Sequence, residues 1–183
     1  MRHIQAANFT AVQSRSIDLI VIHDMEYLEK LTAAEDVANF FKNQPKSSKT
    51  GSSAHYCADD NSIVSCVFDH DVAWAAPGAN HNGLHIELAG YSKQDRKDWG
   101  DEYDLEMFEL VAELAARKAH KYDIRPRKIG AADIKAGRSG FVGHRDVTAA
   151  YPNLGSHQDP GEHFPWDHFM RRVHHFYGLH RSS

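Results

Sequence analysis

The chain has 183 residues, a length that suits one domain closed around one hydrophobic core and leaves little room for two. Hydrophobic residues make up 42% and charged residues 25%, enough apolar surface to fold and too much for wholesale disorder. The 21 basic and 25 acidic residues give a formal charge of -4, which provides no broad positive surface for a phosphate backbone and excludes nucleic acid as a partner.

Met1 to Gln13 lacks the apolar stretch of a signal peptide, and no apolar run approaches the roughly 20 residues that span a bilayer. No membrane insertion is expected, and the chain is expected to be made in the cytoplasm and to stay there unless something else releases it. The run Ile17-Asp18-Leu19-Ile20-Val21-Ile22 is short, β-branched and almost wholly apolar, as in a strand buried on both faces, and it ends on His23. Thr32-Ala33-Ala34-Glu35 then has capping-box spacing, and Val37, Phe40 and Phe41 follow at helical spacing, which predicts an amphipathic helix over 32–43.

A polar stretch from Asn43 to Ser53 reads as a loop. Strands are predicted over 54–58 and 63–68, joined by a turn at Asp59-Asp60-Asn61-Ser62, and over 84–89. Cys57 and Cys66 flank that turn; one disulfide is conceivable, but two cysteines do not make a disulfide scaffold, and both are expected as packed, reduced thiols. The longest helix runs from Asp104 to about Tyr122, with Leu105, Phe108, Val111, Leu114 and Ala115 on one face and basic residues in its last turns. Residues 129–139 read as a loop leading to Phe141-Val142-Gly143-His144. A final helix starts near Pro165, turns Phe169, Met170, Val173 and Phe176 inward and stops at Gly178. The fold class is therefore α/β, a single domain over 1–183 with a central mixed β-sheet flanked by α-helices. Strand order is not legible.

Fourteen histidines are too many for any one to mark a site, so position must sort them. His23 sits where a buried strand runs out, a place where α/β sheets present reactive groups. His144 ends a short apolar segment, and Asp159 precedes Pro160-Gly161, a turn that can aim a carboxylate. Two imidazoles and one carboxylate suffice for a catalytic zinc with an open fourth position. The spacing matches no local helical motif, and other histidines compete; His174 and His175, adjacent on the last helix, read as one solvated and one half-buried residue.

At these residues the sequence resembles the type 2 N-acetylmuramoyl-L-alanine amidases, a family that includes phage endolysins, muropeptide amidases and peptidoglycan recognition proteins. The resemblance covers roughly residues 17–170: the strand ending in His23, Ser53-Ala54-His55-Tyr56, Asp60-Asn61, Ala73-Trp74, Asn82-Gly83, Ile86-Glu87-Leu88, Gly143-His144-Arg145-Asp146, and Asp159-Pro160-Gly161 with Phe164-Pro165-Trp166. It implies one zinc ion (Zn2+) held by His23, His144 and Asp159, with Glu87 as general base for cleavage of the muramoyl–L-alanine amide of bacterial peptidoglycan. His157 stands where many members carry a lysine that stabilises the oxyanion, and an imidazole can also supply that donor. Ala75 replaces a histidine frequent in relatives and His85 a frequent glycine, which leaves the groove's shape open.

The loop 43–53 and the segment 74–82 are expected to border the groove. Trp74 reads equally as core packing or as a substrate contact. A monomer and a phage endolysin released through a separate pore fit this resemblance. A cytoplasmic recycling amidase, a non-cleaving peptidoglycan-binding module and a histidine-rich metal buffer are the alternatives.

Overall fold

Strand β3 (Leu19–Asp24) is buried at every position and anchors the sheet. The structure is a computed structural model that describes residues 1–47 and 49–181, the side chain of Arg181 excepted. On one side β3 pairs in parallel with β7 (Gly83–Leu88), and on the other with β8 (Gly140–Gly143). Beyond β7 lies β4 (Tyr56–Ala58), parallel to it, then β5 (Ile63–Ser65), antiparallel to β4, and β1 (Arg2–His3) at the edge. The sheet is mixed, in the order β1-β5-β4-β7-β3-β8; β2 (Phe9–Thr10) and β6 (Val72–Ala73) form a separate antiparallel pair.

Alternation along the strands gives the two faces different characters. Ile20, Ile22, Leu84, Ile86, Leu88 and Phe141 share one face with α2 (Glu102–Lys121) and α5 (Trp166–Arg181). Phe108, Phe164 and Phe169 meet between these two helices, edge to face, at centroid separations of 5.5–6.1 Å. The opposite face carries two separate apolar clusters. Val37, Ala38 and Phe41 of α1 (Ala33–Asn43) cover Cys57, Val64 and Cys66. Ile134 of α3 (Ala131–Lys135) and Val147 and Ala150 of α4 (His144–Ala150) cover Leu19, Val21 and Val142. Between the two clusters the sheet presents His23, His85 and Glu87 instead of apolar side chains.

Several local expectations need correction. The helix expected over 32–43 is present, but Thr32 makes no capping bond; its hydroxyl donates to Asp36 at 3.0 Å, and the Ala34 N–H is satisfied by Asp59 from the β4–β5 turn at 3.0 Å. Phe40 and Leu105, placed on apolar faces by periodicity, are exposed. The stretch 129–139 contains α3, seeded where the Asp133 carboxylate accepts the Gly130 N–H at 3.4 Å and Ile134 is buried. Helix α5 runs through Gly178, since a glycine in a helix costs only about 1 kcal/mol relative to alanine. His174 and His175 are both exposed. Cys57 and Cys66 are buried free thiols with sulfurs 3.7 Å apart, as expected.

Arg15 staples the N-terminal segment beneath the divided face. Its guanidinium donates to the carbonyls of Asp69, Asn80, His81 and Gly83 at 2.8–3.1 Å, a fork that only arginine can fill. Arg15→Ala is expected to lower the unfolding free energy by about 2–3 kcal/mol in a urea titration, and Arg15→Lys to recover little of it, because one ammonium cannot span four carbonyls.

Candidate metal centre

Three segments far apart in sequence converge on one point. His23 is carried by the penultimate residue of β3, His144 opens α4 directly after β8, and Asp159 lies in the loop that follows α4. All three are buried. The Asp159 carboxylate sits 2.8 Å from His23 Nδ1 and 3.1 Å from His144 Nδ1. Burial alone would raise the Asp159 carboxyl, but hydrogen bonds with His144 and His23 reverse the effect and hold it well below the usual carboxylate range. One ligand atom from each residue lies within 4.8 Å of the other two.

The loop that brings Asp159 to this point is fixed by backbone contacts. The Arg145 N–H donates to the Asp159 carbonyl at 2.9 Å, and the Gly161 N–H closes a turn onto the Gln158 carbonyl at 2.9 Å. Two glycines make the approach possible. A Cβ on Gly143 would stand 2.8 Å from Pro160 Cδ, and one on Gly161, whose φ is +94°, would stand 1.9 Å from the Ser92 carbonyl oxygen. The start of α4 is held in turn by Asp146, which accepts the Gly143 N–H at 2.7 Å and pairs with Lys128 at 2.7 Å.

Glu87 is in register with His23 on the neighbouring parallel strand, so both side chains leave the same face. Burial, then the charges of Asp159 and Asp24, push its carboxyl well above the ordinary range. Asp24, one residue after His23, is raised to about 8, chiefly by burial, and one of its oxygens has no hydrogen-bond partner among the described residues. His157 is exposed and stacks on His144 with ring centroids 4.1 Å apart and planes within 15°. Its Nδ1 is 3.7 Å from Asp159, and burial followed by His144 lowers its pKa.

His85 braces the centre from below. Its Nδ1 lies 3.1 Å from His23 Nε2, while its backbone N–H donates to His55 Nδ1 at 3.0 Å. Burial first, then His23 and His55, keep the His85 ring neutral, and burial pushes His55 down to about 3. When Nδ1 of His23 faces a ligand as an acceptor, Nε2–H donates to His85, which fixes the tautomer and the ring.

The centre forms the floor of a cavity of about 770 Å³, and Tyr27, Phe40, Phe41 and Trp74 give that cavity an apolar wall. Of the two segments expected to border a groove, Ser52, Ser53, Trp74 and Ala75 line it. Trp74 is half-buried, and its indole N–H is held by the Thr10 hydroxyl at 2.9 Å.

A profile of the N-acetylmuramoyl-L-alanine amidase family matches residues 13–162. The chain belongs to that family. Its activity class follows: it is an amidase acting on peptidoglycan. Among solved structures, the Staphylococcus aureus hydrolase AmiA, determined with its ligand, aligns at 13% identity with a TM-score of 0.73, covering 99% of this chain and 84% of that one. The endolysin amidase LysCS from Clostridium intestinale URNW aligns at 14% identity and TM-score 0.60, over 94% of each chain. A selenomethionine derivative of AmpD aligns at 17% identity and TM-score 0.63, over 94% and 93%. At these identities the likeness concerns the fold. Among curated proteins none is significantly similar in sequence.

Five residues singled out from the sequence of this amidase, namely His23, Glu87, His144, His157 and Asp159, are brought together around the cavity floor. Asp24 and the wall residue Phe40 were not anticipated. Asp24 follows the strand's last apolar residues without any spacing signal, and Phe40 falls on a helical stripe that serves both the core and the cavity. The Gly161 geometry gives a direct test of the loop: Gly161→Ala is expected to displace Asp159 and destabilise the fold by more than about 2 kcal/mol, read as a lowered Tm.

Proposed function

We propose that the amidase uses one zinc ion held by His23, His144 and Asp159 to hydrolyse the amide between N-acetylmuramic acid and L-alanine. The observation that carries this reading is the convergence of two imidazole nitrogens and a carboxylate oxygen at the cavity floor. The donor set fits. Bonds of roughly 2.0–2.1 Å in a tetrahedral site would place ligand atoms about 3.3 Å apart, close to the 2.8 and 3.2 Å that separate Asp159 Oδ2 from the Nδ1 atoms of His23 and His144. The His23–His85 contact supplies the outer partner that metal-bound histidines usually have. When bound, zinc polarises a carbonyl and acidifies water at its open position.

The chain's own residues supply the rest. Glu87 is placed beside His23 with its proton affinity raised by burial, as a base working near neutral pH requires. It takes the proton of the attacking water and delivers it to the leaving nitrogen. His157, at the rim over His144, donates a hydrogen bond to the developing oxyanion. The aromatic wall around Phe40 and Trp74 takes apolar faces of the glycan and stem peptide, and Ser52 and Ser53 offer hydroxyls.

We further propose that the protein works as a monomeric endolysin, made in the cytoplasm and released to the wall through a separate pore. Its fold-level likeness to the endolysin amidase LysCS supports this setting. A cytoplasmic muropeptide-recycling amidase is the second reading, and the fold-level likeness to AmpD is compatible with it. Cleavage of intact sacculi at a rate comparable to that on isolated muropeptides supports the first, and cleavage of muropeptides alone supports the second.

Zinc-loaded protein incubated with peptidoglycan is expected to release stem peptides with new L-alanine N-termini, detected by mass analysis. Glu87→Gln is expected to lower that rate by roughly 10²–10⁴-fold while keeping the zinc. No release by the zinc-saturated wild type would overturn the amidase mechanism and leave a binding module.

His157 allows a pH test. Its pKa is lowered, so support from its protonated form is present at acid pH and declines as pH rises through a value below about 6.5. A lysine keeps its charge to about pH 10. His157→Lys is therefore expected to move that decline in the pH–rate profile upward, and an identical profile would remove His157 from the mechanism.

A further inference from the structure

A second group of acidic side chains lies outside the cavity, where the loop between β3 and α1 meets the start of α2. Glu29 of that loop, Asp101 at the N-cap of α2 and Asp104 in its first turn each offer a carboxylate oxygen within 4.8 Å of the other two. Asp104 is fully buried, with 0% exposure, yet neither of its carboxylate oxygens has a hydrogen-bond partner among the described residues. Its backbone N–H donates to Asp101 at 3.1 Å, and the Gln94 amide donates to Glu29 at 2.5 Å. The neighbouring Lys30 is committed elsewhere, to Asp36 at 2.8 Å.

A buried carboxylate facing two more, with no donor of its own, needs a compensating positive charge. The positive end of the α2 dipole answers part of it, but Asp101, Glu102 and Asp104 already crowd that end. The remaining candidates are a proton and a metal ion. Burial first, and then Glu29 and Asp101, push the Asp104 carboxyl up to about 8, which measures how poorly the site holds a bare negative charge.

We propose that Glu29, Asp101 and Asp104 form a second cation site, selective for a hard divalent ion of calcium's class, which ties the β3–α1 loop to α2. An all-carboxylate oxygen set suits calcium or magnesium and not zinc. Carboxylate oxygens that all lie within 4.8 Å of one another can share one ion, and calcium, whose oxygen shell is flexible, suits a set carried partly on a loop better than magnesium, which demands near-octahedral geometry. Exposed Asp101 leaves one side of the site open to water, which completes the shell. The loop it fastens begins just after His23 and Asp24 and places Glu26 and Tyr27 on the cavity wall. Tyr103 already bonds to the Lys30 backbone of the same loop at 3.0 Å, so the ion would complete an existing brace.

The test is thermal unfolding of the zinc-saturated protein with calcium added to roughly 10 mM, against sodium chloride of equal ionic strength, with calorimetric titration of calcium in parallel. A site with the millimolar or tighter affinity of extracellular calcium modules is expected to raise Tm by about 3 °C or more and to titrate at one ion per chain. Asp104→Asn keeps the side-chain shape and removes the unpaired charge, so it is expected to fold at least as well without calcium and to lose the calcium response; Glu29→Gln, on the loop, is expected to lose it as well. Zinc content should be unchanged in both variants, which separates this outcome from any failure of the catalytic metal centre. No calcium-dependent shift in the wild type, a shift equal to that with sodium chloride, or an undiminished shift in Asp104→Asn would overturn the proposal and leave a protonated Asp104.

Discussion

The buried carboxylate of Asp159 is the constraint around which this molecule is organised. A carboxylate taken out of water costs several kcal/mol unless charge or hydrogen bonds compensate it, and here the compensation comes from two imidazoles, 136 and 15 positions away in sequence. The end of β3, the start of α4 and the loop after α4 must therefore meet within one hydrogen bond of one another. Gly143, Gly161 and the Arg145 N–H serve that meeting: the glycines remove side chains that would hold the loop off, and the amide fixes its height. His85 serves it from the other side, turning the His23 ring so that Nδ1 faces inward.

The same demand explains why the sheet has two unlike faces. Strands in parallel arrangement are usually covered on both sides, and α2 and α5 do cover one side with a continuous apolar layer. On the other side, α1 and the α3–α4 pair stand apart, and the strip of sheet between them is left without a helix. Strand β7 runs along that strip. Its alternation is apolar toward α2 and α5, through Leu84, Ile86 and Leu88, and polar toward the gap, through His85 and Glu87. The cavity is thus the space that the helices leave open, and its chemistry is the polar half of β7 together with the end of β3.

This division also explains what the sequence made legible. Strand β3 and helix α2 were readable because each satisfies one strong local rule: unbroken β-branched apolar character in the first, a long 3.6-residue stripe in the second. Periodicity failed where one side chain answers to two surroundings. Phe40 repeats at helical spacing with Val37 and Phe41, yet it faces the cavity, a destination no local pattern encodes. Thr32 had the spacing of a cap, but Asp59 from a distant turn took the donor, and that tertiary bond is invisible in a window of a few residues. His23, His144 and Asp159 could be proposed as a set because each ends an element or precedes a fixed turn. Their distances could not, since these depend on the order β7-β3-β8, which no single strand states. His85 showed itself in the sequence only as a departure from the family pattern; its contact with His23 gives the departure a physical meaning.

Three carboxyl groups, Asp24, Glu87 and Asp159, crowd the end of β3, and the fold sorts them by partner. Asp159 has two imidazoles and stays ionised, the state a metal ligand requires. Glu87 and Asp24 have none, and each feels Asp159 as an added negative charge on top of its own burial, so both hold protons more tightly. Environments that push neighbouring carboxyls apart in this way separate ligand from proton carrier without any difference in side-chain chemistry. The separation depends on Asp159 remaining charged: a positive ion shared with the imidazoles would weaken its field at Glu87 and lower the proton affinity of that carboxyl. Occupancy of the centre would therefore tune the proton affinity of the neighbouring base as well as polarise the amide, and both effects depend on the His23, His144 and Asp159 set that β3, α4 and the Asp159 loop are folded to hold.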